Sequence, residues 1–317
     1  RRQAGLRHDV HRRRHGRCGR LRGAVKVLRT PDERFAALPG WGWAPRYIDH
    51  DGLRVHYVDE GPRAADVTAL CLHGNPSWGY LYRHMLPVFT AAGLRVVVPD
   101  LVGFGRSDKP DDPAWHRFEW HRNQLLAFID TLELKNILLV CQDWGGLFGL
   151  TLPMARPARF TRLLAMNTTL ATGEVSVGFR QWRAYSNSQP DLQVGRLLRR
   201  GRREMSEAEA AGYDAPFPDA GYKAALRAFP DLVPDGADAP GAAVSRAAID
   251  FWRERWQGAS FMALGMQDPV LGPETMRALH AGLRGCPPPL EVAEAGHFVP
   301  EWGAPIAAAA LKHFDLA

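Results

Sequence analysis

The stretch Leu138-Leu139-Val140-Cys141-Gln142-Asp143-Trp144-Gly145-Gly146 decides the fold that this sequence of 317 residues predicts. Its first half is a short apolar run that is typical of a buried strand in a parallel sheet. Gly145 and Gly146 then open a segment, residues 147–155, that has the composition of a helix. The order is therefore strand, sharp turn and helix, with Asp143 at the turn.

The turn resembles the pattern Gly-x-Ser-x-Gly of a nucleophile elbow, with two replacements. Gln142 stands at the first glycine, and Asp143 stands at the serine. A carboxylate is already ionised at neutral pH, and it can displace a leaving group from a saturated carbon and form an alkyl ester. Asp143 therefore indicates hydrolysis at saturated carbon rather than at an ester or a peptide. The alternative is that Asp143 only caps the helix that follows.

Length and composition allow one large α/β domain with an insertion, or two domains. Apolar residues make up 46% of the chain, which is typical of a globular enzyme. We find no apolar run of transmembrane length and expect no membrane partner. The cysteines, Cys18, Cys71, Cys141 and Cys286, lack the spacing of a metal site. Cys71 and Cys141 fall in predicted buried strands, so we expect reduced core cysteines and a cytoplasmic protein.

The net charge of +6 is concentrated at the start of the chain. Residues 1–24 hold nine arginines and one acidic residue, Asp9, which leaves the rest of the chain slightly acidic. This basic leader has no apolar stretch of the kind found in a secretory signal. It also lacks the aromatic residues and folded context that favour nucleic-acid binding, so we expect no nucleic-acid partner. We expect disorder there; the alternative is that translation starts near Val25.

Three more predicted strands end shortly before polar residues: residues 67–72 before the loop from His73 to Trp78, residues 260–266 before Asp268, and residues 290–293 before His297. The carboxyl ends of parallel strands form the edge at which open α/β sheets bind ligands. Asp143, Asp268 and His297 follow one another in the order nucleophile, acid, histidine. That order is typical of α/β-hydrolases.

Residues 168–250 interrupt the pattern of strands. They have the composition of short helices and loops with several prolines. We therefore predict an α/β-hydrolase fold, with a mostly parallel sheet flanked by helices and a helical cap inserted after a central strand. Residues 25–167 and 251–317 would form the core domain, and residues 168–250 the cap domain.

From about residue 28 to the C-terminus, the sequence resembles the haloalkane dehalogenases of the α/β-hydrolase superfamily. Six stretches carry the resemblance: Arg29-Thr30-Pro31-Asp32-Glu33-Arg34-Phe35, His73-Gly74-Asn75-Pro76-Ser77-Trp78, Gln142-Asp143-Trp144-Gly145-Gly146, Ala215-Pro216-Phe217-Pro218-Asp219, Gly265-Met266-Gln267-Asp268 and Ala295-Gly296-His297-Phe298. Asp268 as the acid, with Asn167 at the earlier strand end, is similar to the first subfamily.

The resemblance implies a role for each of these residues. Asp143 attacks the carbon that bears the halogen and forms an alkyl ester. His297, oriented by Asp268, activates the water that hydrolyses this ester. Backbone N–H groups of Asn75 and Trp144 hold the oxyanion. The implied partners are a small haloalkane, a halide ion and water; no metal or organic cofactor is required, and we expect a monomer.

The resemblance also implies a halide site, because an indole N–H is a neutral donor suited to a dry pocket. Trp144 matches the first halide tryptophan, and Trp182 matches the second by its position after Phe179. The alternative for Trp182 is packing within the cap. Asn75 departs from the pattern, since members with a cap tryptophan often carry Glu there, and its amide would be a third halide donor. The expected pocket lining includes Phe179, Leu147 and Phe217.

Three rival functions have to be compared with this set of residues. An epoxide hydrolase uses the same nucleophile and an acid to protonate the ring oxygen, usually a pair of cap tyrosines, and Tyr185, Tyr213 and Tyr222 are available. Trp144 and Trp182 argue against it, because a halide needs no proton donor. A fluoroacetate-type dehalogenase would need an arginine beside the nucleophile. A non-catalytic hydrolase-fold binding protein should have lost a triad residue.

Overall fold

A sheet of eight strands forms the centre of the computed structural model, which describes residues 25–317. The strands are β1 (Arg46–His50), β2 (Leu53–Glu60), β3 (Thr68–Leu72), β4 (Arg95–Pro99), β5 (Ile137–Gln142), β6 (Phe160–Met166), β7 (Ala259–Gly265) and β8 (Leu290–Val292). Their order across the sheet is β8-β7-β6-β5-β3-β4-β2-β1. β2 runs antiparallel to both of its neighbours, and the remaining pairs are parallel. The predicted mostly parallel sheet is confirmed, whereas the predicted basic leader lies outside the described residues.

Helices flank this sheet. The α-helices of the described chain are α1 (Leu86–Ala91), α2 (Phe118–Thr131), α3 (Trp144–Gly149), α4 (Leu152–Ala155), α5 (Val177–Asn187), α6 (Val194–Gly201), α7 (Glu207–Asp214), α8 (Ala224–Leu232), α9 (Ala242–Asp250), α10 (Pro273–Ala281) and α11 (Gly303–His313). The 3-10 helices are Asp32–Phe35, Gly79–Tyr82, Pro113–Trp115, Pro157–Arg159, Ala220–Lys223 and Val299–Trp302. A short π-helix, Phe251–Arg255, follows α9, and Val27–Leu28 pairs with Lys109–Pro110.

The central strands are buried because helices cover both faces of the sheet. Every residue of β3 and of β5 is buried. This explains why their sequences are continuous apolar runs without the alternation of a half-exposed strand.

At the edge of the sheet that β1 forms, β1 and β2 are joined by a tight turn. Its two residues are Asp51 and Gly52, which have φ angles of 54° and 76°. Positive φ at both positions suits a two-residue turn between twisted antiparallel strands.

The helical segment predicted for residues 147–155 differs in detail from the structure. Two short helices, α3 and α4, replace one longer helix. Pro153 has no N–H group, so it cannot bond to the carbonyl four residues earlier in a continuous helix. Thr151 adds a competing bond, because its hydroxyl donates to the carbonyl of Phe148 at 2.7 Å. The break therefore follows from local chemistry.

The chain between β6 and β7 holds α5 to α9 and no strand. Serine caps start two of these helices. The Ser176 hydroxyl accepts from the N–H of Phe179 at 3.0 Å at the start of α5. Ser206 and Glu209 form a reciprocal capping box at the start of α7. α5 carries Phe179 and Trp182, so its position determines where two predicted pocket residues lie.

A buried ion cluster joins this helical region to the rest of the molecule. Arg83 and Glu301 are each only 2% exposed, and Nη2 of Arg83 donates to Oε2 of Glu301 at 2.8 Å. Glu301 also accepts from the hydroxyl of Tyr213 on α7 and, at 2.6 Å, from Arg202 just after α6. Arg83 contacts Glu209 of α7 at 3.1 Å as well. The cluster therefore ties α6 and α7 to the segments that follow β3 and β8.

Three general features bear on function. Cys71, Cys141 and Cys286 are free thiols, and the first two are buried in neighbouring strands. Among residues 25–317, no helix is both long and apolar enough to cross a membrane. The same residues contain no cluster of three or more His, Cys, Asp or Glu side chains that could hold a metal ion.

Candidate active site

Asp143 sits at a strained turn between β5 and α3. Its φ and ψ angles are 52° and −125°, a conformation that is rare for residues other than glycine. Gly145 and Gly146 make the turn possible, because a Cβ atom at either position would collide with the neighbouring chain. At 145 it would meet the carbonyl of Leu72, and at 146 the side chain of Thr168. The turn therefore lifts the Asp143 carboxylate off the carboxyl end of the sheet.

The loop after β3 holds one oxygen of this carboxylate. The backbone N–H of Asn75 donates to Oδ1 of Asp143 at 2.8 Å. A Cβ atom at position 74 would clash with the Asp143 side chain, so glycine is required for the close approach. The N–H of Trp144 lies in the first turn of α3, where helical N–H groups have no partner within the helix. These two N–H groups are suited to stabilising negative charge on the carboxyl group of Asp143.

His297 links Asp143 to Asp268. Nε2 of His297 lies 3.5 Å from Oδ2 of Asp143, and Nδ1 lies 2.8 Å from Oδ2 of Asp268. Asp268 is held in turn by the N–H of Val270, which donates to Oδ1 at 2.8 Å. Asn167 at the end of β6 donates to Oδ2 of Asp268 at 2.9 Å. The three residues predicted from the order of the strands therefore lie in contact.

The pKa values of His297 and Asp268 move in opposite directions. Burial opposes the charge on His297, but the carboxylates of Asp268 and Asp143 outweigh it and raise its pKa to about 10. Burial also opposes the charge on Asp268, but His297 and the hydrogen bonds from Asn167 and Val270 lower its pKa. In the resting site the ring of His297 therefore lies between two carboxyl groups that favour its protonated form.

Two side chains that support this arrangement were not among the predicted site residues. Asn167 accepts from the N–H of Gly265 at 2.7 Å while it donates to Asp268, so it spans β6 and β7. Gln142 donates from Nε2 to the carbonyl of His297 at 3.0 Å. The signal for Gln142 was its departure from glycine in the elbow pattern, and the signal for Asn167 was its place at a strand end.

The carboxylate of Asp143 opens into a cavity of about 1070 Å³. The predicted site residues that border this cavity are Asn75, Asp143, Trp144, Leu147, Phe179, Trp182, Asp268 and His297. Trp144 is 2% exposed, and its indole N–H has no protein acceptor within residues 25–317. Oδ1 of Asn75 is buried and also lacks a partner there. The cavity therefore combines apolar walls with polar groups, some of them close to Asp143 and others, such as Glu174 and Arg200, elsewhere on its lining.

The prediction that Phe217 lines the pocket is wrong. Phe217 is 4% exposed, but it packs in the hydrophobic core and does not border the cavity. The reason is that its loop is fixed to the N-terminal segment. Thr30 donates to the carbonyl of Pro216 at 2.6 Å, and Arg34 donates to the carbonyl of Ala215 at 2.7 Å.

Comparison with known proteins agrees with this geometry. The family described as alpha/beta hydrolase fold matches residues 69–304. A protein of Psychrobacter cryohalolentis named haloalkane dehalogenase is 45% identical over 289 residues, which are 87% of this chain and 94% of that protein. A haloalkane dehalogenase of Mycobacterium marinum is 43% identical over 256 residues, covering 78% of this chain and 86% of the relative.

A solved structure is also similar. The tetrameric haloalkane dehalogenase DpaA from Paraglaciecola agarilytica NO2 superimposes with a TM-score of 0.90 at 46% identity, covering 92% of this chain and all of that one. The strand order and the elbow at Asp143 place the chain in the α/β-hydrolase family. Within that family the chain belongs to the haloalkane dehalogenases, which are hydrolases that act on carbon–halide bonds.

Proposed function

We propose that this dehalogenase cleaves the carbon–halogen bond by direct attack of Asp143. The N–H of Asn75 holds Oδ1, which leaves Oδ2 to attack the carbon from the side opposite the halogen. The new carbon–oxygen bond forms as the carbon–halogen bond breaks, and the halide leaves with the bonding electrons. The product of this step is an alkyl ester of Asp143 and a free halide ion.

Hydrolysis of the ester is assigned to His297 and Asp268. His297 removes a proton from water, and the resulting hydroxide attacks the carboxyl carbon of Asp143. Asp268 keeps the imidazole oriented through the 2.8 Å contact with Nδ1 and stabilises the imidazolium. The N–H groups of Asn75 and Trp144 hold the oxyanion until the alcohol leaves. No step requires an organic cofactor or a metal ion.

The halide is assigned to the indole groups of Trp144 and Trp182, with the amide of Asn75 as an additional donor. Both tryptophans border the cavity, one beside Asp143 and the other on α5. A neutral N–H donor beside Asp143 can stabilise the charge on the halide as it develops. We further propose that residues 168–250 act as the cap that closes this cavity.

Two wider proposals concern the state of the protein. The free, buried thiols of Cys71 and Cys141 support a cytoplasmic location, since they lie in neighbouring strands without pairing.

We propose a monomer as the active unit, because all the groups assigned above come from one chain. Size-exclusion chromatography with light scattering tests this, and a tetramer would contradict it.

The cavity gives no support to an epoxide hydrolase. No tyrosine of the described chain borders it. Tyr213 donates its hydroxyl to Glu301 instead, and Tyr185 is 37% exposed. The contact of Asp143, His297 and Asp268 on the lining of one cavity is the single observation that carries the proposed mechanism.

The direct test is bromide release from 1,2-dibromoethane and 1-bromobutane by the purified protein. We expect bromide from the wild type and none above background from the Asp143→Ala variant, whose folding is checked by circular dichroism. Bromide release that persists in the variant would contradict the role of Asp143. Turnover of styrene oxide without bromide release would instead support the epoxide chemistry.

A further inference from the structure

A second concave surface lies beside the active-site cavity. It has a volume of about 690 Å³ and is formed by α6, α7 and the segment between them. Its basic residues are Arg196, Arg199, Arg200 and Arg203. We call this surface the arginine groove. Its acidic residues are Glu207 and Asp214.

The positive charge of the arginine groove is only partly balanced. Arg199 lies 3.5 Å from Glu207, and Asp214 is occupied by a hydrogen bond from the backbone of α6. Within residues 25–317, Arg196 and Arg203 contact no carboxylate. Among the described residues, the guanidinium of Arg200 donates only to the hydroxyl of Tyr185, at 3.3 Å. The groove therefore presents guanidinium groups to solvent with most of their donors free.

Helix stability does not explain this arrangement. Cations are favourable in the last turn of a helix, which accounts for Arg199 and Arg200. Arg196 lies in the first turn of α6, where the helix dipole disfavours a positive charge. It also lies four residues before Arg200, a spacing at which like charges repel each other. An anion bound in the groove would remove both unfavourable terms.

The groove and the active-site cavity share a wall. Arg200 borders both, and its neighbours Leu197 and Gly201 border the cavity. The cavity is much larger than a short haloalkane, which leaves room for a chain that extends from Asp143 to this wall. Arg180, Glu174 and Glu274 also border the cavity, and Arg180 donates to the carbonyl of Val175 at 2.7 Å.

We propose that the arginine groove binds the anionic end of a substrate, namely a haloalkane with a carboxylate at the end of the chain opposite the halogen. This inference rests on the proposed function of Asp143. Trp144, Gly145 and Gly146, which follow the nucleophile, offer no arginine or lysine for a carboxylate next to the reacting carbon. The free guanidinium groups lie in the groove instead, so the charge is placed at the far end of the chain, where these groups can form strong hydrogen bonds with a carboxylate.

The test compares substrates that differ only in charge. The value of kcat/KM is measured from bromide release for 6-bromohexanoate against 6-bromohexanamide, and for 8-bromooctanoate against its amide, at low and high salt. We expect the wild type to prefer the carboxylate by about tenfold or more at one of these lengths, and less at high salt. The preference should fall towards one in the double variant Arg196→Gln/Arg200→Gln.

A matched control is Arg253→Gln, which removes one exposed positive charge that borders neither cavity. It should keep the carboxylate preference of the wild type. Turnover of 1-bromohexane by the wild type reports on the proposed function separately, because this substrate has no charge. If 1-bromohexane is not hydrolysed, the proposed function fails and the inference fails with it.

Two results would overturn the inference while the proposed function stands. One is equal kcat/KM for acid and amide at both lengths in a wild type that hydrolyses 1-bromohexane. The other is a preference that the double variant retains. Cosedimentation with phosphatidylglycerol vesicles, lost in the double variant and without any carboxylate preference, would assign the groove to an anionic membrane surface instead.

Discussion

Asn167 donates a hydrogen bond from Nδ2 to Oδ2 of Asp268 at 2.9 Å, the same oxygen that contacts Nδ1 of His297. Asn167 is itself fixed, because it accepts from the N–H of Gly265 and donates to the carbonyl of Leu271. The orientation of the imidazole therefore depends on a side chain that touches neither His297 nor the cavity.

Replacing Asn167 should lower kcat without removing any reacting group. We expect Asn167→Ala to reduce kcat about 10- to 100-fold, because Asp268 would then hold the imidazole of His297 less firmly in its productive position. Steady-state bromide release measures this. Asn187→Ala, at an exposed asparagine on α5, is the control and should keep wild-type kcat. An unchanged kcat in Asn167→Ala would show that Asp268 needs no such support.

A variant that lacks the general base should stop at the ester. His297→Gln leaves Asp143 able to displace bromide but removes the group that activates water. With 1-bromobutane we expect a burst of about one bromide per protein, followed by near arrest, and an intact mass increased by one butyl group. Peptide mapping should place the butyl group on Asp143. Continuous turnover, or a butyl group on another residue, would contradict the mechanism.

The displacement of the halide by Asp143 and the hydrolysis of the alkyl ester should depend differently on pH. The carboxylate of Asp143 helps to raise the pKa of His297 in the resting enzyme, and esterification removes that charge. The pKa of His297 should therefore be lower in the alkyl-enzyme. Since the general base must be neutral, the rate of ester hydrolysis should rise with pH through this lowered pKa. Single-turnover kinetics, compared with NMR titration of the resting imidazole, tests the sign; equal pKa values would contradict it.

Halide affinity should report the donors around Asp143. Trp144→Phe removes an indole N–H beside the nucleophile and should weaken bromide binding about tenfold, the effect of one hydrogen bond to a charged group. Trp182→Phe should act in the same direction, because its indole is the second donor assigned to the halide. Bromide inhibition of turnover measures both variants. Phe217→Leu is the control, because Phe217 does not border the cavity; a larger effect there would indicate altered packing instead.

Buried and exposed ion pairs should differ sharply in their effect on stability. Glu301→Gln leaves Arg83 and Arg202 near a neutral amide in a buried site, and should lower the free energy of unfolding by about 3 kcal/mol. Glu291→Gln breaks an exposed pair with Arg277 and should change it by less than about 1 kcal/mol. Urea denaturation measures both values. Similar losses in the two variants would contradict the importance of the buried cluster.

The sequence predicts this site well where chemistry follows a strand end. Asp143, Asp268 and His297 each follow a strand that its apolar sequence predicts. Since the carboxyl ends of parallel strands form one edge of the sheet, the fold brings these three residues together. Phe217 failed because two side chains near the N-terminus, Thr30 and Arg34, hold its loop elsewhere. Contacts over such separations leave no periodic signal in the sequence. Asn167 and Gln142 act through single hydrogen bonds, which only the folded structure reveals.

The ion cluster at Glu301 limits which helical segments from related enzymes could replace the one between β6 and β7. The helices between β6 and β7 form one continuous stretch of chain, so a related enzyme could donate that stretch in a single exchange. The receiving core, however, keeps a buried carboxylate that takes hydrogen bonds from Arg202 and Tyr213 of the outgoing segment. A donor stretch without an arginine and a hydroxyl group at those places would leave Glu301 short of donors. Compatibility of recombined enzymes should therefore depend on these two positions as well as on the residues that face the substrate.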